Sequence, residues 1–416
     1  MIFIFCVILF ALICIEKTIY KTYVTPFNML AAIYMIAIIS INTFGKLIGF
    51  KVVEKTTIFW FLVFLIIAFC ADLIFKILNM KAKRVDDNII GDFHSRVINK
   101  ARFIEFLFLI CLVAYGLSLL MAISQFGLTG TKGKSSGIFA HIGILGVAIS
   151  PYILLMFVDL RSKRYFVEIV ALYAIMVMFG GKYEIFFALI ASTFLLIQNN
   201  KINLKKIIPI FLKVVTLGGL FFILIYAVLP MVLKGETSSG STSVLEGSLW
   251  ALRHMLFYFF GPFISANSFF DMPMHAGLGE GLRAIFNPLV RIIELFGDKN
   301  YPNIVSDNWV HVSTIDYCNV GGLFSEAVYY IDFLGALVYF YIISFFVGFC
   351  NYIVKTRGKY VVSTAIVMAA YVLSFFSNYF ILLSIIEMMI YAYLFESIIY
   401  SKKEIVIKFG NVVIFR

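Results

Sequence analysis

Long apolar stretches alternate with short polar connections along this chain, and most of these stretches are long enough to cross a lipid bilayer. A helix of about 20 apolar residues spans the roughly 30 Å of hydrocarbon in a membrane. The strands of a membrane β-barrel would alternate apolar and polar residues, and these stretches do not. The pattern therefore predicts an all-α polytopic membrane protein with about 11 transmembrane helices. The predicted spans cover about residues 1–15, 25–43, 57–78, 103–124, 138–158, 165–179, 184–198, 207–229, 327–350, 360–376 and 379–399.

One connection is much longer than the others. Residues 230–326 separate an N-terminal transmembrane bundle at 1–229, with about eight spans, from C-terminal transmembrane helices and a tail at 327–416. Long connections in compact domains commonly carry function. This one begins with the flexible sequence "KGETSSGSTS" and continues into segments that read as amphipathic helices. No internal repeat is visible, which counts against a transporter built from inverted repeats.

Composition supports the membrane assignment and excludes other classes. The 416 residues are 62% hydrophobic and 14% charged, with a mean hydropathy of +0.99, unlike a soluble domain of this size. The net charge is +11, but the basic residues lie at helix ends, so we expect no nucleic-acid partner. The six cysteines form no C-x-x-C pair, which argues against a redox motif. The first run, Ile2 to Ile15, lacks a basic leader and a cleavage site, and we expect it to be a retained helix.

The distribution of lysine and arginine predicts the orientation. With eleven spans the two termini lie on opposite sides, and cytoplasmic connections are enriched in basic residues. If the C-terminus is cytoplasmic, the cytoplasmic connections carry 21 Lys/Arg over about 75 residues, against 11 over about 127 on the other side. The N-terminus and the connection 230–326 are then expected on the outer side.

The stretch "MFGGKYEIFFAL" breaks an apolar run with two glycines, a lysine and a glutamate. Charge at membrane depth is costly and is commonly functional. We expect the glycines to let two short spans turn in the outer leaflet, with Lys182 pointing to a substrate phosphate. The alternative is a plain outer turn whose lysine extends to the interface.

Two segments of the long connection predict amphipathic helices. The first, around "SVLEGSLWALRHMLFYFFGP", is expected to end at Gly261–Pro262, and its helical spacing aligns one face of polar and aromatic side chains. That face comprises Glu246, Trp250, Arg253 and Phe257, with His254 beside it. The second, "EGLRAIFNPLVRIIELFG", carries a polar stripe and is expected to lie in the membrane interface, kinked at Pro288. Its stripe comprises Glu280, Arg283, Asn287, Arg291 and Glu294.

The cations of the outer side form one candidate site. Lys182, Arg253, Arg283 and Arg291 could converge on phosphate oxygens, which arginine binds in bidentate fashion. For any one of the three arginines alone, contact with lipid phosphates or solvent is the favoured alternative. Trp250 is interpreted either as a stacking platform for a sugar ring or as an interface anchor.

Candidates for acid–base chemistry lie just before the late span. His254, His275 and His311 belong to the long connection, and a general base near neutral pH is commonly a histidine or a carboxylate. The catalytic candidates are His311 and Asp307, and Asp316 and Glu326 follow in the same stretch. Each of these alone is also compatible with a structural role. No nucleotide-binding P-loop, nucleophile elbow or metal-ligand spacing is present, so no cofactor or metal is expected.

Three stretches and the layout resemble a known family. "FGGKYEIFFALI" (179–190), "LRHMLFYFFGPFIS" (252–265) and "NVGGLFSEAVYYIDFLGALVYFYIISFFVGF" (319–349) resemble those of the bacterial oligosaccharide repeat-unit polymerases, the O-antigen polymerase (Wzy-like) family. The last stretch contains the Asp-Phe-x-Gly start of a late span. Lys182 matches a basic residue that is often arginine, and Arg253 matches the basic residue before the "YFFGP"-like stretch.

The resemblance implies a membrane glycosyltransferase of the bacterial inner membrane. It would polymerise undecaprenyl-pyrophosphate-linked repeat units on the periplasmic face, without a metal, to make an O-antigen, capsule or exopolysaccharide. The donor and acceptor glycans on their lipids would be its partners, with membrane lipids, a chain-length regulator and a flippase. Catalysis would rest on alignment of both lipids and neutralisation of the leaving pyrophosphate. The alternatives are a lipid-linked oligosaccharide flippase or other transporter, and a ligase or O-acyltransferase.

Overall fold

The computed structural model describes residues 1–81, 87–135, 137–181, 183–198, 216, 219–220, 222–275, 277–294, 309–401, 407–409 and 412–415. Helices dominate these residues, as the apolar pattern predicts. Among the described residues, nine α-helices precede the long connection. They are α1 (Ile2–Tyr20), α2 (Pro26–Thr43), α3 (Lys55–Ala71), α4 (Leu73–Lys81), α5 (Asp87–Asn99), α6 (Ala101–Phe126), α7 (Gly137–Leu160), α8 (Lys163–Phe179) and α9 (Tyr183–Gln198).

The second half of the described chain contains helices and two small hairpins. After a π-helical turn, Leu224–Val228, come α10 (Leu229–Lys234), α11 (Val244–Phe270), α12 (Leu278–Ile285) and α13 (Asn287–Glu294). A hairpin of β1 (Val310–His311) and β2 (Tyr317–Cys318) then leads into α14 (Gly322–Arg357), α15 (Val361–Leu373) and α16 (Leu383–Tyr400). A final hairpin pairs β3 (Ile407–Phe409) with β4 (Val412–Phe415).

Several helices are suited to cross a membrane. Six of the described helices are long and apolar enough, namely α1, α2, α6, α7, α14 and α16. The bent pair α3–α4 makes a seventh if it counts as one span, and α9 and α15 are shorter apolar helices. The protein is therefore an all-α membrane protein. The predicted span at 207–229 lies mostly outside the described residues, and the count of eleven stays a prediction.

Aromatic side chains from distant parts of the chain form the centre of the bundle. Tyr34 of α2 lies 5.0 Å, between ring centroids, from both Phe263 of α11 and Phe324 of α14. Phe64 of α3 stacks on Phe324 at 4.8 Å. Buried aromatic rings contribute large apolar areas and favourable ring geometry. The N-terminal bundle, the long connection and the C-terminal helices therefore share one core.

Helix α11 differs from the sequence-based expectation. We expected it to end at Gly261–Pro262, but the helix continues through Pro262 to Phe270. Its C-terminal half is buried in the bundle, whereas an interfacial helix would keep one face on the surface. The predicted helix over 280–296 is interrupted at Phe286, just before Pro288, and forms two short helices.

Two apolar elements near the C-terminus are broken. The backbone of α14 is non-helical at Ile331 and Asp332, so that a short helix precedes the main one. Between α15 and α16 the chain makes a buried turn in which Ser374 and Asn378 are fully covered. The Leu323 amide donates to the Ser374 carbonyl at 2.7 Å and joins the start of α14 to this turn. Non-helical backbone at membrane depth is tolerated where protein covers it.

Three hydrogen bonds join segments that the charge distribution predicts to lie on the same side of the membrane. On one side, Lys51 donates to the Val312 carbonyl, and Gly133 donates to that of Phe179, both at 2.9 Å. On the other side, the Lys100 ammonium donates to the carbonyl of Ser401 at 3.0 Å. Connections that the prediction puts on one side of the membrane thus lie together in the fold.

Candidate functional site

A row of aromatic rings covers one face of α11 in its first half. Trp250, His254 and Phe257 recur at helical spacing, and the His254 ring stacks between its two neighbours. The ring centroids are 4.6 Å apart for Trp250–His254 and 5.4 Å apart for His254–Phe257. Tyr258 contacts the imidazole edge-on at 4.8 Å. Trp250 and Phe257 of the predicted face therefore lie together with His254, and the histidine is packed among aromatic rings.

This aromatic row forms one wall of a cavity of about 560 Å³, here called the aromatic cavity. The opposite wall comes from the β1–β2 hairpin and the segment after it, and Phe376 of the buried turn closes the end. Polar side chains are few among aromatic ones. The lining residues are Trp250, His254, Phe257, Tyr258, Trp309, Ile315, Asp316, Tyr317, Cys318, Asn319, Val320 and Phe376.

A charged pair joins α11 to the hairpin at this cavity. The Arg253 guanidinium lies 2.7 Å from Asp316 Oδ2 and donates to Ser313 Oγ at 3.2 Å. The Ser313 hydroxyl in turn donates to Asp316 Oδ2 at 2.5 Å. Arg253 also lies over the Phe50 ring, 5.4 Å from its centroid. These contacts fix the carboxylate of Asp316 at the cavity wall, since charge-assisted hydrogen bonds are strong.

His311 lies behind the lining of the aromatic cavity. It belongs to β1, and its ring lies 3.7 Å from that of Tyr317, which is one of the lining residues. The imidazole is exposed. Asp307, the other predicted catalytic residue, lies outside the described residues. The hairpin thus brings His311 beside the cavity and places Asp316 at its wall.

A buried carboxylate supports the floor of the aromatic cavity. Glu326 Oε1 accepts the Gly321 amide at 3.2 Å, and Oε2 accepts the Asn378 amide at 2.9 Å. The Ser377 hydroxyl also donates to Oε2 at 3.2 Å. One side chain therefore ties the segment after β2 to the turn that carries Phe376. Buried carboxylates require such partners because an unmatched charge is costly to bury.

Cys318 lines the aromatic cavity with a thiol that stays protonated. The side chain is 3% exposed, and burial raises the pKa of its thiol to about 11. Its sulfur donates to the Val320 carbonyl at 3.3 Å. Reactivity of cysteine follows the thiolate fraction, so this thiol is inert near neutral pH.

The remaining predicted cations do not line the aromatic cavity. Arg283 is exposed on α12, and Arg291 is half-buried on α13. These helices pack near the two broken elements, where the Asn287 side chain donates to the Ile381 carbonyl at 2.8 Å. Lys182 lies outside the described residues. The predicted convergence of the four cations on one site therefore stays a prediction. Arg253 is paired with the carboxylate of Asp316.

Sequence reasoning missed two of the residues that shape this site. Asp316 was considered only as one acid among several, and Glu326 only as a neighbour of the late span. The signal for Asp316 was its place three residues after Ser313, a spacing at which a serine hydroxyl commonly closes a local turn. Nothing in the sequence indicates that Glu326 joins residues 321 and 378, because those segments are distant along the chain.

The arrangement suits recognition of a ligand with flat apolar faces and a few hydroxyls. Pockets of this kind bind through aromatic walls, with few polar groups to set the orientation. No family model, curated protein or solved structure matches this chain.

Proposed function

We propose that this protein polymerises oligosaccharide repeat units carried on undecaprenyl pyrophosphate, by metal-independent glycosyl transfer. The observation that carries the proposal is the aromatic cavity, with Asp316 as the one carboxylate among its described lining residues. Sugar rings stack on aromatic faces through their apolar C–H surfaces, and one carboxylate can accept a sugar hydroxyl. Trp250, Trp309 and Tyr317 supply faces at this cavity.

The reaction would join two lipid-linked glycans. A hydroxyl oxygen of the acceptor repeat unit attacks the anomeric carbon of the donor glycan. The new C–O bond forms while the bond from that carbon to the pyrophosphate oxygen breaks, and undecaprenyl pyrophosphate leaves with the bonding electrons. The hydroxyl proton passes to a base and then to water.

Asp316 is our candidate for that base. It lies at the cavity wall, whereas His311 lies behind Tyr317. Arg253 and Ser313 hold one oxygen of the carboxylate, at 2.7 Å and 2.5 Å. Alignment of a reacting hydroxyl with a fixed base lowers the entropic cost of the reaction.

Neutralisation of the leaving pyrophosphate would fall to cations elsewhere on the same side. Lys182, Arg283 and Arg291 remain the predicted ligands, and phosphate oxygens would attract each of them. In this proposal the chain has eleven spans in the bacterial inner membrane, with the long connection in the periplasm. A chain-length regulator and a flippase are the proposed partners.

A lipid-linked oligosaccharide transporter is the second candidate, and one observation favours it. Lys76 lies inside the bundle, 1% exposed, 2.9 Å from Glu16 and 2.5 Å from Asp72. Ionisable residues within membrane helices commonly mark transport pathways. The cluster is also explained as an internal ion-pair network of the bundle.

The experiment that tests the proposal is a gel of surface glycan from a strain that lacks this gene. Polymerase activity predicts a single repeat unit on the lipid core and no ladder, with the ladder restored by the wild-type gene but not by Asp316→Asn. Lipid-linked units trapped inside the cell would indicate the transporter. Long polymer that stays on its lipid carrier would indicate a ligase. An unchanged ladder would overturn the proposal.

A further inference from the structure

A second cavity, of about 630 Å³, lies on the other side of the aromatic row. It forms where three connections meet: the turn that ends at Lys132, the glycine break after α8, and the loop over residues 236–240. The sequence-based topology puts all three connections on the outer side. This space, here called the loop cavity, is therefore on the same side as the aromatic cavity.

The loop cavity has an apolar wall and a polar wall. Helix ends supply the apolar wall with side chains such as Val177, Met178 and Leu229. The polar wall comes from the loop with its Glu236, Ser238 and Ser239, and from Lys132, the one cation among the described lining residues. A ligand that fits both walls is itself amphipathic, with an apolar part toward the helices, an anionic group at Lys132 and hydroxyls that can donate to the Glu236 carboxylate on the loop.

Backbone and side-chain contacts fix the walls of the loop cavity. Thr131 is 1% exposed, and its hydroxyl donates to the Met178 carbonyl at 2.9 Å. Gly180 has a φ of 85°, and an added Cβ there would lie 3.0 Å from the Lys132 side chain. On the loop, Thr237 is 3% exposed, and the Ser238 amide donates to the Tyr226 carbonyl at 2.8 Å. The cavity is held open by packed residues on both walls.

Packed aromatic rings lie between the two cavities. Tyr226 lines the loop cavity, while Trp250 and His254 line the aromatic cavity. The Tyr226 ring lies 5.0 Å from that of His254 and 5.9 Å from that of Trp250, between centroids. The two cavities are thus separated by aromatic rings in direct contact, with Tyr226 on one side and Trp250 and His254 on the other.

We propose that the loop cavity binds the sugar–phosphate end of a polyprenyl-linked saccharide, with Lys132 on the phosphate and the apolar wall on the first isoprenes. The inference rests on the proposed function, because a transfer between two lipid-linked glycans needs two sites that meet. It adds Lys132, Ser238 and Tyr226 as binding residues of the second substrate. The aromatic cavity then holds the sugars of the other one.

The first test measures binding and does not need polymerase activity. Undecaprenyl phosphate in detergent micelles is titrated into the purified full-length protein, and binding is followed by quenching of tryptophan fluorescence. Lys132→Glu is expected to weaken binding at least tenfold, because it reverses the charge at the phosphate. Lys134→Glu is the matched control, since Lys134 lies two residues away, outside the lining, and it should bind as the wild type does. Equal binding by both variants would overturn the assignment.

The second test fills the cavity in cells. Ser238→Trp places a large ring in the loop cavity, and Thr242→Trp places the same ring on the same loop outside the lining. With equal protein levels in the membrane, Ser238→Trp should leave single repeat units and no ladder, while Thr242→Trp keeps the full ladder. A full ladder with both variants, in a strain whose deletion abolishes the ladder, would overturn this inference and leave the proposed function standing. An unchanged ladder in the deletion strain would instead remove the proposed function, and the binding titration would then decide this inference alone.

Discussion

The guanidinium of Arg253 on α11 lies 2.7 Å from the carboxylate of Asp316 between β1 and β2. The pair joins two parts of the long connection at the edge of the aromatic cavity. Both side chains are partly exposed, at 26% for Arg253 and 18% for Asp316. Pairs of this exposure contribute about 1 kcal/mol or less to stability, so the position of Asp316 matters more than the stability of the pair.

Replacement of either partner should therefore affect activity more than folding. Asp316→Asn keeps the size of the side chain and removes the charge, and we expect loss of the ladder with a melting temperature close to that of the wild type. Arg253→Lys keeps a charge without the planar fork and should shorten the ladder. The measurements are the surface-glycan gel and thermal unfolding in detergent. If Asp316→Asn polymerises normally, Asp316 is not the base.

Glu326 is expected to position the floor of the aromatic cavity. Glu326→Gln replaces one acceptor oxygen by an amide that faces a backbone N–H or a hydroxyl, so a buried donor loses its partner. Such a loss costs about 1–3 kcal/mol. The variant should unfold at a lower temperature than the wild type and give a shortened ladder.

The control for Glu326 is Glu280→Gln, because Glu280 is exposed on α12. That variant should match the wild type in both measurements. Lower stability of Glu326→Gln with a full-length ladder would show that the carboxylate supports the fold but does not shape the cavity.

The sequence predicts the membrane class of the fold and the aromatic face of α11, since both follow from periodicity. The continuation of α11 through Pro262 does not follow from periodicity. A proline inside a helix costs about 3 kcal/mol, while burial of a phenylalanine returns roughly 1.5–3 kcal/mol. Phe263, Phe269 and Phe270 are all buried after the proline. Tertiary burial therefore outweighs the local signal, and it depends on helices that are distant in the sequence.

In the candidate site, too, the sequence predicts contacts between residues that are close along the chain but not contacts between distant ones. The spacing of Trp250, Arg253 and His254 is local and could be predicted. The partner of Arg253 could not, because Asp316 comes into place through the β1–β2 hairpin. Lys182 and Asp307, which the pattern also favours, lie outside the described residues and stay predictions.

Asp332, at the break in α14, has a positive φ although it is not a glycine. Its φ is 67° and its ψ is 170°, a region that favours glycine, and such strain costs about 1–3 kcal/mol. Its carboxylate accepts the Phe333 amide at 2.7 Å and so caps one of the first amides of the main helix of α14, which have no partner within the helix. Asp332→Ala should lose the cap and keep the strain, whereas Asp332→Gly loses the cap and relieves the strain. Thermal unfolding in detergent should rank the glycine variant as more stable than the alanine variant, and the reverse order would show that the backbone is not strained.

Because the Cys318 thiol is buried, we expect the stability of the folded protein to fall at alkaline pH. Burial raises its pKa from the ordinary value of 9.0 to about 11. The folded state therefore holds the proton more tightly than the unfolded state does. The resulting stability is present below pH 9 and is lost as the pH rises through about 11.

The rate of labelling by a maleimide reports whether the Cys318 thiol is accessible and ionised. Because burial raises the pKa of the Cys318 thiol, that thiol is mainly protonated at pH 8, and labelling of the folded protein should be slow. A cysteine introduced as Thr314→Cys, on the exposed turn of the same hairpin, should react rapidly under the same conditions. Equal labelling rates at the two positions would show that Cys318 is accessible and ionised.

The ion-pair network inside the bundle gives the largest expected change in stability. The Lys76 ammonium contacts Glu16 and Asp72 and also donates to the Phe69 carbonyl at 2.8 Å. Lys76→Met leaves two buried carboxylates without their cation, and loss of one partner of a buried pair costs about 3–5 kcal/mol. We expect a large fall in the unfolding temperature and in the amount of protein in the membrane. Lys46→Met, at an exposed turn, should have no effect.

A combined variant separates stability from function. Glu16→Gln, Asp72→Asn and Lys76→Met together remove all three charges, and neutral replacement of a buried network is often close to neutral in stability. If the network is only structural, this triple variant should recover the unfolding temperature and the full glycan ladder. Recovery of the unfolding temperature without the ladder, with lipid-linked units trapped inside the cell, would assign the charges to transport and favour the transporter over the polymerase.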